Sequence, residues 1–184
     1  KTRSFDHDIA ANAESIGLLM AHCRGARAVL HCSSTGVYEA AGHHPFAETD
    51  PLGDNHRVLG FMPTYSISKI AAEAVVRTMA RELQLPTTIA RLNVPYGNAG
   101  GWPWLHLEQV LAGQPIQVHA DAPSTYHPIH EDDLLASLPG LLGAAAVPAT
   151  IVNWGGSEAV SIEEWSTYLG ELVGREPIFE TSAT

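Results

Sequence analysis

Apolar residues recur along the chain in two rhythms, and the switches between them mark out alternating helices and strands. Ile9, Ile16, Leu19 and Met20 fall at helical spacings, which predicts a helix over Asp8–Cys23 stopped by Gly25. Ala26–Cys32 is a short, mostly apolar run that reads as a strand and delivers Ser33-Ser34 to whatever follows. Tyr65–Leu85 is the clearest helix: Ile67, Ile70, Ala71, Val75, Met79 and Leu83 repeat at its period, and Pro86 follows its end. Thr87–Leu92, Gln114–His119 and Thr150–Trp154 read as further strands. Trp104–Ala112, closed by Gly113, and Glu131–Leu142, capped by Gly143, read as further helices. Ser161 and Glu164 have capping-box spacing for a last helix running to Gly174. Residues 39–63 and Pro95–Pro103, rich in Gly and Pro, are expected to be loops.

Strands alternating with helices predict an α/β fold with a parallel sheet covered on both faces. No internal repeat or low-complexity segment interrupts it. A Gly-x-Gly-x-x-Gly phosphate loop is absent from the sequence, which begins on a helix and ends soon after another. The expectation is the middle and later part of a larger α/β protein.

Composition narrows the function classes. With 184 residues and 45% hydrophobic residues, the chain can build a core of its own. A formal net charge of −10 argues against a nucleic-acid partner. No apolar run approaches the roughly 18–20 residues of a membrane span, and the polar start lacks the apolar stretch of a signal peptide. The two cysteines, Cys23 and Cys32, make no disulfide framework, so a reducing cytoplasm is the simplest compartment. Cys32 is expected to pack rather than react.

Candidate chemistry centres on Tyr65-Ser-Ile-Ser-Lys69, which places a phenol and an ammonium one helical turn apart on one face. An unperturbed phenol titrates near pH ~10 and is a poor base; a cation beside it favours the phenolate and makes it a usable acid/base. The spacing alone is equally a surface Tyr and Lys on an amphipathic helix. The context strengthens it: Ala28–Tyr38 brings Ser33, Ser34 and Thr35 to a loop, and Arg91-Leu-Asn-Val-Pro-Tyr-Gly97 follows the tyrosine helix. Ligands of open α/β sheets bind beyond the carboxyl ends of the strands.

In these residues the chain resembles the extended short-chain dehydrogenases/reductases, the NAD-dependent epimerase/dehydratase group. The serine loop, "YSISKIAAE", "RLNVPYG", "HPIHEDDLLASL" and "VNWGGSEAVSIEEW" stand in that family's order and approximate spacing. The resemblance implies a partial Rossmann-like doubly wound sheet. Residues 1–100 would be the later part of the dinucleotide-binding domain, and residues 101–184 a small substrate-binding region mixed with the last sheet elements. It implies Tyr65 as general acid/base, Lys69 as its support and a holder of the nicotinamide ribose, and Ser34 as the catalytic hydroxyl. Asn12, Ser33 and the segment Leu92, Asn93, Val94 and Pro95 would lie along the cofactor, NAD or NADP, and Lys1 could match a cofactor-contacting lysine. Thr35 and Tyr126 would face the substrate. A homodimer, pairing the Tyr65 helix with the Asp8–Cys23 helix, is also implied.

The pattern departs from the family in four places. The glycine-rich fingerprint, with the residue that selects NAD or NADP, is missing. Tyr126-His127 stands where sugar-nucleotide members have Arg-Asp, and a phenol cannot grip phosphates as a guanidinium does. Val94 occupies the place of a substrate-side asparagine, with Asn93 one residue early and so facing the other way. Thr35-Gly36 replaces the acidic residues that help dehydratases eliminate water. The expected function is therefore an NAD(P)-dependent oxidoreductase or epimerase acting on a hydroxyl or carbonyl carbon of a small, polar, sugar-like substrate. The alternative is a non-catalytic or truncated member serving as a binding or scaffold module.

Other candidates are weaker. Ten histidines include no Cys/His cluster of zinc-ligand spacing, and no metal is expected. Trp102, Trp104 and Trp154 read as core or pocket wall, and Asp132 and Asp133 as helix caps. A Ser-His-Asp hydrolase lacks its nucleophile elbow.

Overall fold

The computed structural model describes residues 4–58 and 62–182. In chain order its elements begin with α1 (Phe5–Ile9), a π-helical turn (Ala10–Glu14), α2 (Ser15–His22), β1 (Val29–Ser34), a 3-10 turn (Thr35–Val37), α3 (Tyr65–Glu82) and β2 (Thr87–Leu92). There follow β3 (Val94–Gly97), β4 (Gly100–Gly101), α4 (Trp102–Ala112), β5 (Pro115–His119), β6 (Thr125–Tyr126), β7 (Pro128–His130) and α5 (Glu131–Gly143). The chain closes with β8 (Thr150–Trp154), β9 (Val160–Ser161), α6 (Ile162–Val173) and β10 (Ile178–Ser182). It divides into two compact units, Lys1–Leu92 with Ser137–Trp154, and Asn93–Ala136 with Gly155–Thr184.

The first unit is built on a parallel sheet in the order β1-β2-β8. β2 is buried along all but its last residue, as expected of a central parallel strand covered on both faces. Its core gathers Met20, Val76, Ala80, Leu85 and Ile89, with Ile16, Val29, Met79, Leu83, Ala149 and Ile151 packed around them. The most deeply buried stripe of α3 is not the one its large apolar residues suggest. Ser66, Ser68, Ala72, Glu73, Val76 and Ala80 are buried, while Ile67, Ile70, Ala71, Val75, Met79 and Leu83 are only half-buried. Small side chains let the helix lie close to its neighbours, and the larger ones pack on the flanks. Val75, for example, lies where a β-carbon on Gly17 of α2 would come within 2.9 Å.

Three expectations are corrected here. The single helix expected over Asp8–Cys23 is α1, a π-helical turn and α2, the extra residue of the turn falling around Asn12. The Pro95–Pro103 loop contains β4, most of β3 and the start of α4. Pro103 lies in the first turn of α4, where no helical N–H is lost, so the helix begins at Trp102 rather than Trp104. The short strands β6 and β9, and β10, carry too little pattern to be legible.

In the second unit β3 pairs in parallel with β7 and antiparallel with β4, while β5 pairs with β10 and β6 with β9. Its core is Val110, Ile116, Val118, Ile162 and Trp165. The capping box is formed as predicted: the Glu164 N–H donates to Ser161 Oγ (3.1 Å) and the Ser161 N–H to Glu164 Oε2 (2.7 Å). The Ser161 N–H holds the Glu164 carboxyl below its usual range. That share of stability is full above the unfolded carboxylate's pKa and is lost as pH falls through the lowered one. At the other end Gly174 stops α6 at φ 66°, a left-handed conformation costly for any residue with a β-carbon. Ser161→Ala is expected to cost about 1 kcal/mol in urea unfolding at neutral pH, and an unchanged midpoint would contradict the cap's role.

Candidate active site

The carboxyl ends of the first unit's strands lie in register, with Ser34 beside Leu92 and Leu92 beside Trp154. At the end of β1 the Ser34 hydroxyl caps the 3-10 turn, accepting the Gly36 N–H at 3.0 Å. Accepting there leaves its own proton to donate. Tyr65 opens α3, and Lys69 follows one turn later. Lys69 Nζ lies 5.9 Å from the centroid of the Tyr65 ring and donates to the Cys32 carbonyl at 3.3 Å. A β-carbon on Gly36 would meet Tyr65 Cε1 at 3.2 Å, Ser34 Oγ at 3.3 Å and His56 Cε1 at 2.7 Å. Glycine at this position lets these three side chains pack directly against the turn and so brings them together.

The other expected site residues have definite places. Asn12 Nδ2 donates to the Asp8 carbonyl (3.0 Å) and to Ser68 Oγ (3.3 Å), tying the π-helical turn to α3. The buried Ser33 hydroxyl donates to Glu73 Oε1 at 2.6 Å. Thr35 Oγ1 donates to the Leu92 carbonyl at 3.4 Å. Within the second unit, Asn93 Oδ1 accepts the His127 N–H at 3.2 Å, Val94 is buried opposite Pro128, and Pro95 lies opposite Ile129. Tyr126 meets Trp102 edge-on at 5.3 Å, and burial, followed by the Glu163 charge, pushes its phenol up. Lys1 lies outside the described residues.

Beneath the centre is a buried ionic network that sequence reasoning missed. Glu73 on α3 receives Arg91 Nε (3.0 Å) and Nη2 (2.8 Å) in a bidentate pair, both side chains being 2% exposed. Arg91 Nη1 also donates to Tyr38 Oη (3.0 Å) and the Glu48 carbonyl (3.1 Å). Tyr38 in turn donates to Asn153 Oδ1 (2.6 Å), and Asn153 Nδ2 to the Phe46 carbonyl (2.9 Å). Burial works against the Arg91 charge, but Glu73 and then Tyr38 outweigh it and raise its pKa. The network fastens the loop after β1 to β2, β8 and α3, and so fixes the walls around Ser34 and Tyr65. A signal for it existed: Glu73 lies two turns along the Tyr65 face, and Arg91 interrupts an otherwise apolar strand. An acid and a base at two buried positions require each other.

His31, under Lys69 and Glu73, is buried and held down to about 4, first by burial and then by the Lys69 ammonium, against Glu73. Some expectations for other residues are corrected. Cys32 is exposed, because strand alternation buries His31 and Ser33 instead. Trp102 and Trp104 are 41% and 50% exposed, whereas Trp154 is buried and its indole donates to Ser137 Oγ at 3.0 Å. Glu131, Asp132 and Asp133 form the first turn of α5, where carboxylates meet the positive end of the helix dipole. Among the described residues no group of three or more His, Cys, Asp and Glu side chains is placed to hold a metal ion, and no helix is long and apolar enough to cross a membrane.

A parallel sheet with a hydroxyl, a phenol and an ammonium gathered at its carboxyl edge defines a Rossmann-like α/β protein. The profile described as the NAD dependent epimerase/dehydratase family matches residues 6–135, and the chain belongs to that family. A search of curated proteins returns no significant match. Among solved structures, the chain is similar to a dTDP-glucose 4,6-dehydratase from Bacillus anthracis in complex with NAD (TM-score 0.75, 20% identity, 98% of this chain and 57% of that one). It is similar also to a UDP-glucose 4-epimerase from Thermotoga maritima with UDP-glucose (TM-score 0.75, 20% identity, 97% and 59%). A UDP-glucuronic acid 4-epimerase from Bacillus cereus gives TM-score 0.71 at 18% identity over 94% and 55%. The chain thus spans less than two thirds of the length of these structures.

Proposed function

We propose that this chain carries the catalytic centre of an NAD(P)-dependent oxidoreductase or epimerase acting at a hydroxyl or carbonyl carbon of a small, polar, sugar-like molecule. The observation that supports the reading is the packing of Ser34 Oγ and Tyr65 Cε1 side by side against Gly36, with Lys69 one turn along. Ser34, its oxygen already accepting from Gly36, donates its proton to the substrate oxygen. Tyr65 takes the proton from that oxygen in one direction and returns it in the other. The Lys69 ammonium beside the ring stabilises the phenolate.

A nicotinamide cofactor would supply the group that accepts and returns hydride. The residues present suit its nicotinamide side: half-buried Lys69 uses one N–H on the Cys32 carbonyl and has others for ribose hydroxyls. NAD is the cofactor named with two of the similar structures above, and the proposal takes in NAD and NADP alike. Nucleotide-sugar substrates are disfavoured by Tyr126-His127 and Val94, and dehydration by Thr35-Gly36. A homodimer through α2 and α3 belongs to the proposal too; Leu18 of α2 is 74% exposed.

The test is a fluorescence titration of the protein that carries this chain with NADH and NADPH, repeated on Lys69→Met. Saturable binding of one of them is expected, weakened about tenfold in the variant by loss of charge-assisted hydrogen bonds. Binding of neither, or equal affinity in Lys69→Met, would overturn the proposal.

A further inference from the structure

His56 stands beside the centre and has no part in the chemistry described so far. Its ring tilts against the Tyr65 ring at 4.9 Å and 51°. Its Cε1 packs against Gly36 alongside Tyr65 Cε1 and Ser34 Oγ. The hydrogen bonds around it fix its tautomer. Asn55 Nδ2 donates to the Tyr38 carbonyl at 2.9 Å, so Asn55 presents Oδ1, an acceptor, to His56 Nδ1. Ser66 Oγ lies 2.8 Å from Nδ1, but two oxygens that can only accept, the Gly36 carbonyl at 2.6 Å and Asn55 Oδ1 at 2.9 Å, compete for its single proton. Toward the ring the serine oxygen can therefore only accept. Both neighbours require Nδ1 to carry the proton, and in the neutral ring this leaves Nε2, on the other side of Cε1, as a bare acceptor. Burial is the leading influence and favours the neutral ring, against Asp54 and the Gly36 carbonyl.

In the proposed step the reacting oxygen exchanges its one proton with Tyr65 and has none left for a second acceptor. In its carbonyl form that oxygen has only lone pairs to offer, and Ser34 and Tyr65 already address it. A hydroxyl on the adjacent carbon is the group that can donate to Nε2. We propose that His56 is a third substrate-facing residue, its Nε2 accepting a hydrogen bond from the hydroxyl next to the reacting carbon, so that the substrate is a vicinal diol or the matching α-hydroxyketone. The inference rests on the catalytic reading above and narrows its substrate class.

The test uses the protein that carries this chain, NAD or NADP, and a panel of alditols, free pentoses and free hexoses. The best substrate is paired with its analogue deoxygenated beside the oxidised carbon. His56→Asn keeps a donor near the place of Nδ1 and removes the Nε2 acceptor, while His56→Gln can return an acceptor oxygen there. The expected result is about a tenfold lower kcat/KM for H56N on the hydroxylated substrate, carried mainly by KM. No loss is expected on the deoxy analogue, and H56Q should recover part of the activity. Nitrogen NMR of histidine-labelled protein should show Nδ1 protonated and Nε2 bare, with the Nε2 signal moving when substrate is added. Equal losses on both substrates, no loss on either, or a protonated Nε2 would overturn the inference. If Tyr65→Phe is inactive and H56N is indifferent to the hydroxyl, the inference alone falls. If Tyr65→Phe stays active, or the unaltered protein turns over nothing in the panel, the catalytic reading falls with it.

Discussion

Replacing Tyr65 with Phe is expected to lower turnover by about a thousandfold while leaving the protein folded. The substitution removes one oxygen and keeps the ring. The ring's contacts with His56 and Gly36 are made by its carbon atoms, so packing should hold. What is lost is the phenol oxygen that gives and takes the proton in the proposed step. Lys69 should still reach the Cys32 carbonyl, so NADH affinity should stay within about threefold. The measurements are kcat on the best substrate, NADH titration and thermal unfolding of both proteins. A variant that unfolds early would show a structural role for the hydroxyl instead.

Removing Glu73 should have the largest effect on stability. Glu73→Ala leaves the Arg91 guanidinium, 2% exposed, without its bidentate partner, and leaves the Ser33 hydroxyl without its acceptor. An uncompensated buried charge costs about 3–5 kcal/mol, which should appear as a lowered urea midpoint. Tyr38, Asn153 and the Glu48 carbonyl join the same network, so the loop after β1 should loosen and activity fall with stability. The double variant Glu73→Leu with Arg91→Met removes both charges and should be more stable than Glu73→Ala alone. If the single variant unfolds within about 0.5 kcal/mol of the unaltered protein, the network is not what holds this loop.

The sheet was legible because its strands have simple signatures. Thr87–Leu92 and Thr150–Trp154 coincide with the observed strands, since a buried parallel strand is a short apolar run between breakers. Ser161 and Glu164 disclosed their helix start through one reciprocal pair of hydrogen bonds. Other features depend on neighbours distant in sequence. The extra residue of the π-helical turn shifts the helical phase, but of the apolar positions that define the period only Ile9 precedes it, so periodicity could not reveal it. The most deeply buried stripe of α3 was not legible because Ser66 and Glu73 look like solvent residues until Gly36 and Arg91 are set against them. The Tyr65–Lys69 pair could be read as a candidate, but His56 could not. It lies in a loop with no period, and only folding brings it to Gly36.

The central claim is that Tyr65 governs hydride exchange between a substrate carbon and a nicotinamide. It is tested most directly by supplying substrate deuterated at the reacting carbon and following the label by NMR. With the unaltered protein, deuterium is expected in the reduced nicotinamide where the reaction is a net oxidation, or retained at the same carbon of the product where it is an epimerisation; neither is expected above background with Tyr65→Phe over the same interval. Turnover that loses the label to solvent, or transfer that proceeds equally well in Tyr65→Phe, would contradict it.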